Sequence, residues 1–150
     1  MWLRKQTYRE VVFEARVDFC PESMHVEAGV IVWWNYTCLS SLGIRRSEEG
    51  RVVVYSGADG VRRTSSLKSS ASEVILTVIC GDQYEFLYHE VDEAAERRTV
   101  GSVSNAVMTR DPEVGAPFTG MMLGLYAYGE LEASLAPADF AYAEMRIDNK

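Results

Sequence analysis

The sequence predicts an all-β fold, either a sandwich or a barrel. Three observations carry this. Short runs of alternating apolar and polar residues recur along the chain, the period of a half-buried strand. Clusters of Gly, Pro, Asp and Ser punctuate them at roughly 8–12-residue spacing, as in sandwiches and barrels. No segment longer than about ten residues holds a 3.6-residue period, and nothing repeats at the ~20–50 residues of a solenoid or propeller.

The elements follow in order. Val11–Phe19 alternates, with Phe13, Ala15, Val17 and Phe19 on one face and Glu14, Arg16 and Asp18 on the other. Pro21-Glu22-Ser23 breaks it. Glu27–Tyr36 is β-branched and aromatic on both faces. It is therefore a central strand, one face on the core and the other covered or binding something. Leu39–Arg45 is shorter, and Ser47–Gly50 is a turn. Arg51–Ser56 and Val61–Leu67 are strands about a Gly57–Gly60 turn. Glu73–Cys80 and Gln83–Glu90 are the strongest strands. Their Gly81-Asp82 link predicts a tight hairpin in which Gly81 supplies the positive φ of a primed turn. Asp92–Arg98 reads as a loop or one helical turn, and Thr99–Val103 as a weak strand. Asn105–Pro117 is a long surface loop, and Met121–Tyr128 and Phe140–Ile147 are the last strands. At 150 residues, residues 1–150 form one domain.

Composition narrows the partners. A formal charge of -7 disfavours phosphate backbones, so no nucleic-acid partner is expected. No apolar run reaches the ~18 residues of a membrane helix, so no membrane partner is expected. Cys20, Cys38 and Cys80 lack zinc-ligand spacing. They leave two readings, one disulfide plus a thiol or three buried thiols, and chain size favours the second. No apolar leader follows Met1, so no signal peptide is visible. The compartment stays open, cytoplasmic or secreted as part of a longer protein. Asn35-Tyr36-Thr37 fits the N-glycosylation sequon but lies in a strand-like run.

A reaction centre is hard to find. His25 and His89 stand apart from any nucleophile motif, and Gly-x-Ser-x-Gly is missing. Glu90, Asp92 and Glu96 look like a glycosidase carboxylate set. In an extended strand Glu90 and Glu96 would lie ~20 Å apart. Glycosidases hold their pair at ~5–9.5 Å. A solvated charged loop is the better reading, so no catalytic residue is assigned. Trp33, Trp34, Tyr36, Tyr84, Tyr88, Tyr126, Tyr128 and Tyr142 cluster in strands. Most must pack the core, but a concave face lined by aromatic rings with polar edge partners suits sugars. Trp34 with Tyr36, and Tyr126 with Tyr128, each share a face by alternation. These four are the candidate carbohydrate-binding residues.

An ordered series of phrases then lines up with a known family. It runs from Phe13-Glu14-Ala15, Phe19 and Pro21 to Glu27–Val30, then Gly81, Tyr84 and Phe86. Val100–Val103, Phe118–Gly120, Gly124–Ala127 and Pro137–Phe140 follow. In this order the set resembles the C-terminal concanavalin A-like domain of glycoside hydrolase family 43 β-xylosidases and α-arabinofuranosidases. Leu3–Gln6 and Trp33–Asn35 look like fungal members. The resemblance implies a jelly-roll β-sandwich of two antiparallel sheets that follows a five-bladed propeller holding the catalytic carboxylates. No propeller is present, so none of those residues carries over. Asp92-Glu93 and Arg97-Arg98 stand where many relatives have an Asp-Gly turn and a Trp.

Two functions follow. The first is a non-catalytic accessory domain supporting hydrolysis of xylan-type or arabino-oligosaccharides by an adjacent five-bladed propeller. The alternative is a free-standing carbohydrate-binding module or lectin, with Trp34, Tyr36, Tyr126 and Tyr128 on the glycan. No cofactor is expected. A structural calcium near strand ends, Asp139 among its candidate ligands, is left unassigned.

Overall fold

The computed structural model describes residues 1–68, 73–91, 96–110, 120–131 and 137–148. The strands are β1 (Trp2–Lys5), β2 (Val11–Asp18), β3 (Val26–Trp33), β4 (Leu39–Ser47), β5 (Gly50–Ser56) and β6 (Arg62–Ser66). They continue with β7 (Glu73–Cys80), β8 (Gln83–Glu90) and β9 (Arg98–Ser104), then β10 (Met122–Gly129) and β11 (Asp139–Ile147). One helical turn, α1 (Asn105–Met108), lies between β9 and β10. A six-stranded sheet runs β1-β10-β3-β4-β5-β6 and a five-stranded sheet runs β11-β2-β7-β8-β9. Every pairing is antiparallel. The fold is thus a two-layer sandwich with open edges, not a barrel, and it agrees with a jelly roll. Among the described residues no helix is long and apolar enough to cross a membrane.

The period-two patterns explain the layers. On β2 the inward residues Val11, Phe13, Ala15 and Val17 are all buried. On β3 they are Val26, Ala28, Val30 and Val32. Glu27, Gly29, Ile31 and Trp33 stand on the outer face of the six-stranded sheet, where β3 lies between β10 and β4. This interior position is why β3 is apolar on both sides. Between the sheets the Tyr55 and Phe86 rings sit 5.1 Å apart, centroid to centroid. Tyr55 fits there because Gly101 has no side chain: a Cβ would come within 2.3 Å of the ring.

Several expectations needed correction. β1 carries no alternation, because an edge strand leaves most of its residues exposed. β3 stops at Trp33, short of Tyr36, since the Trp34 and Asn35 N–H groups both donate to the Cys38 carbonyl (3.1 and 3.3 Å) and fold the chain back. The β7–β8 hairpin is not a primed two-residue turn. Cys80 pairs with Tyr84, leaving three residues between them, and the Gly81 N–H donates to the Gln83 carbonyl at 3.1 Å. Gly81 does not adopt a positive φ. α1 occupies the start of the expected loop, capped by the Ser104 hydroxyl, which accepts from the Val107 N–H. The remainder of that loop from residue 111, and residues 92–95 of the expected charged loop, lie outside the described residues. Cys20 is exposed while Cys38 and Cys80 are buried, and none of the three forms a disulfide.

Two glycines test the packing in opposite ways. A Cβ on Gly29 would lie 2.1 Å from the Leu42 carbonyl oxygen, whereas one on Gly81 meets nothing within 4 Å. Gly29→Ala is expected to lose about 1–3 kcal/mol in urea denaturation, and Gly81→Ala to stay within about 0.5 kcal/mol of the parent. Equal effects would contradict this packing.

Candidate functional site

The four aromatic candidates fall into three places. Tyr126 and Tyr128 do share the outer face of the six-stranded sheet, their rings stacked at 6.0 Å and 23°. Trp34 and Tyr36 do not share a face, because β3 has ended before them. Trp34 turns inward and is buried, while Tyr36 is 89% exposed with its ring edge-on to Trp33 at 5.9 Å.

Around Tyr126 the outer face is closed by its own side chains. The Tyr126 hydroxyl lies over Gly43, where a Cβ would meet it at 2.3 Å. It donates to Glu27 Oε1 at 2.5 Å. Arg45 Nη1 stands 3.7 Å from the other Glu27 oxygen, and Arg45 also pairs with Glu130. Tyr126 and Glu27 are both buried, and Tyr128 is the half-exposed ring of the group. Burial holds the Glu27 carboxyl above its usual range, against the Tyr126 hydrogen bond and Arg45, which lower it.

The outer face of the five-stranded sheet holds a second buried carboxylate. Glu14 accepts from Tyr142 (2.9 Å), Arg97 (3.1 Å) and Thr77 (3.3 Å). Arg146 lies 3.6 Å away. Burial, then the bond to Glu14, pushes the Tyr142 phenol up to about 12. His89 stands near this group, its pKa lowered by burial and then by Arg97. Sequence alternation placed Glu14 outward but gave no sign that it would be buried. His25 is exposed and far simpler: its N–H donates to the Ser23 hydroxyl at 3.0 Å.

A groove of about 490 Å³ opens at the rim, where Trp34, Tyr84, Gln6 and Asn105 meet. Each wall is held in place. The Tyr84 hydroxyl donates to Gln6 Oε1 (3.0 Å), and Gln6 Nε2 donates to the Tyr8 and Arg9 carbonyls (2.9 and 3.1 Å). Asn105 Nδ2 donates to the Gly81 carbonyl at 2.8 Å. The Cys38 thiol donates to the Met108 carbonyl at 2.9 Å, pinning α1 to the 34–38 loop. In that loop Asn35 Oδ1 accepts from Thr37 N–H (2.9 Å), Thr37 hydroxyl (2.9 Å) and Cys38 N–H (2.7 Å). The sequon asparagine is therefore a buried loop clamp.

The remaining acidic candidates have separate settings. Glu90 is buried, and both of its carboxylate oxygens accept from the Lys68 N–H at 3.1 and 3.2 Å. Glu96 is exposed. A second rim groove of about 320 Å³ is lined in part by Glu10, Asp82, Glu85 and Asp148. Asp139 starts β11 opposite Asp18. Among the described residues no group of His, Cys, Asp or Glu is arranged to hold a metal ion.

The raised Glu27 pKa sets a sign. The folded state favours the protonated acid, so this contribution to stability is fully present below the unfolded pKa and is lost as pH rises through the folded value. A glutamine has no such dependence. Glu27→Gln is expected to gain stability relative to the parent between acidic and neutral pH, measured by paired urea denaturation. A flat or reversed difference would contradict the burial argument.

Comparison with known proteins places this geometry. Residues 1–146 match the family described as the beta xylosidase C-terminal concanavalin A-like domain. A non-reducing end alpha-L-arabinofuranosidase of Bacteroides ovatus is 31% identical over an alignment of 149 positions that covers 95% of this chain and 27% of that protein. The solved structure of Bacteroides ovatus xyloglucan PUL GH43B superposes with a TM-score of 0.85 at 26% identity, covering 97% of this chain and 29% of that one. Xylan beta-1,4-xylosidase from Bacillus halodurans gives 0.81 at 22% identity, covering 96% and 29%. A protein of unknown function from Saccharomyces cerevisiae gives 0.71 at 15% identity, covering 94% and 71%. The chain thus spans less than a third of the hydrolases it resembles. With a match over nearly all of its length, it belongs to the β-xylosidase C-terminal concanavalin A-like domain family.

Proposed function

We infer that the chain is a non-catalytic accessory sandwich of a glycoside hydrolase, supporting cleavage of xylan-type or arabino-oligosaccharides by an adjacent five-bladed propeller. One observation carries this reading. The domain that it matches end to end is the C-terminal part of such enzymes and fills only 27% and 29% of the first relatives. The rest of those proteins is the natural place for the cutting machinery. The chemistry of the sandwich is in keeping with it. Among the described residues the buried carboxylates, Glu14, Glu27 and Glu90, are each occupied by donors of the fold itself.

A second reading, a free-standing carbohydrate-binding module or lectin, is favoured by one further fact. The same fold makes up most of the yeast protein, 71% of which this chain covers. A sandwich of this kind therefore exists without a propeller-sized companion in the same chain. Tyr128, with its ring half exposed, and Trp34 are the aromatic candidates such a module would use.

The transcript upstream of the Met1 codon separates the two. The accessory reading expects an in-frame segment encoding the propeller, joined to this sandwich in the expressed protein. An in-frame stop directly upstream, with a 150-residue product in cells, would overturn it in favour of the free-standing module.

A further inference from the structure

We propose that two copies of this chain pair through the free edge of β11, about a twofold axis at Met145, and so join their five-stranded sheets into one continuous sheet. The proposal goes beyond the accessory role, which requires no second copy.

A sheet edge left unpaired is a template for another strand unless something blunts it. The two sheets end in β1, β6, β9 and β11. β1 has four residues and ends in Arg4-Lys5. β6 has five and opens on Arg62-Arg63. Short length and like charge guard both. β9 is longer, but its register with β8 shifts at Val100, and a bulge there breaks the edge in mid-strand. β11 has its shift at Ala141, near its start. From Tyr142 to Ile147 it runs in unbroken register with β2, and among the described residues no strand pairs with its other side.

The core face of this edge is unfinished. Ala143, Met145 and Ile147 stand opposite Ala15, Phe13 and Val11, which are all buried. Yet Ala143 is exposed and Ile147 is 48% exposed. At the opposite edge of the same sheet the inward Val103 is 2% exposed. A neighbouring strand would cover these apolar side chains.

Charge then selects a second copy and sets the register. Tyr142, Glu144 and Arg146 alternate with the apolar set and lie on the outer face. A twofold axis normal to the sheet pairs β11 with itself antiparallel and keeps core face beside core face. Centred on Glu144 or Arg146, it sets like charges directly opposite. Centred on Ala143, it runs into the Ala141 bulge. Centred on Met145, it sets each Glu144 opposite Arg146 of the other copy and each Ala143 opposite Ile147, so both faces are complementary. Glu144 and Arg146 already form an ion pair within the strand, both about half exposed, so exchanging partners across the axis leaves no charge buried alone.

Sedimentation velocity of the purified chain from micromolar to millimolar concentration tests this, at about 0.15 M salt, where charges beyond ~8 Å are largely screened. A monomer–dimer equilibrium is expected. Glu144→Arg and Arg146→Glu each set like charges opposite one another on both sides of the axis. Each should weaken the dimer at least about tenfold, with far-UV circular dichroism unchanged. Mixed in equal amounts, the two variants should recover it, as should the double variant Glu144→Arg/Arg146→Glu. Arg63→Glu on β6 changes the net charge as Arg146→Glu does and should leave the dimer intact. In a mixed-label sample a filtered NOE should join the Ala143 and Ile147 methyls, which lie ~13 Å apart within one strand and meet only across the axis. A chain that stays monomeric throughout overturns the proposal. So does a dimer that survives both single variants, one that neither the mixture nor the double variant restores, one lost with Arg63→Glu, or one without that NOE. The outcome is independent of whether a propeller is encoded upstream, so this pairing and the accessory reading fail separately.

Discussion

The space between the two sheets is filled by side chains, and everything else about this molecule follows from that. Phe13, Leu42, Ile44, Leu76 and Phe86 interdigitate there, and Tyr55 reaches across from β5 onto Phe86 over the bare backbone of Gly101. Interiors at crystal-like density keep no room for a substrate. Function is therefore displaced to the outer faces, the open edges and the rims. Even the aromatic residues divide this way: Tyr55 and Tyr88 are spent on the core, and Tyr128 and Tyr36 are left outside.

The buried acids show the same economy. Taking a carboxylate out of water is costly unless donors replace the water. Glu14 receives a phenol, a guanidinium and a hydroxyl; Glu27 receives a phenol and a neighbouring arginine; Glu90 receives a backbone N–H. Each carboxylate ties two or more strands or loops together. Glu27 joins β3 to β10 through Tyr126, and Glu14 joins β2 to β11 through Tyr142. The burial of these groups is a feature of the architecture, and their donors come from the fold.

How far the chain can be read from its letters depends on the range of each interaction. β7 and β8 were legible to the residue, because the β-branched apolar run of Val74–Ile79 and the alternation of Tyr84, Phe86 and Tyr88 are local signals. β1 was not, since only its pairing with β10, far along the chain, makes it a strand. The pairing of Trp34 with Tyr36 failed because alternation was carried past the point where the Cys38 carbonyl turns the backbone. Glu14 looked like a solvent residue because its donors Arg97 and Tyr142 stand 83 and 128 positions away. The rim groove is the same case. Its walls come from β8, α1, the 34–38 loop and the β1–β2 connection, and no local pattern joins them. The family, by contrast, was legible, because ordered phrases survive in sequence even where their contacts do not show.

The central claim is that this sandwich serves glycoside hydrolysis without performing it. Incubating the purified chain alone with aryl β-xyloside and aryl α-arabinofuranoside, and measuring the phenol released, tests that claim most directly. The account predicts release no faster than in buffer. Turnover that disappears on substitution of one carboxylate, with the fold intact, would contradict it.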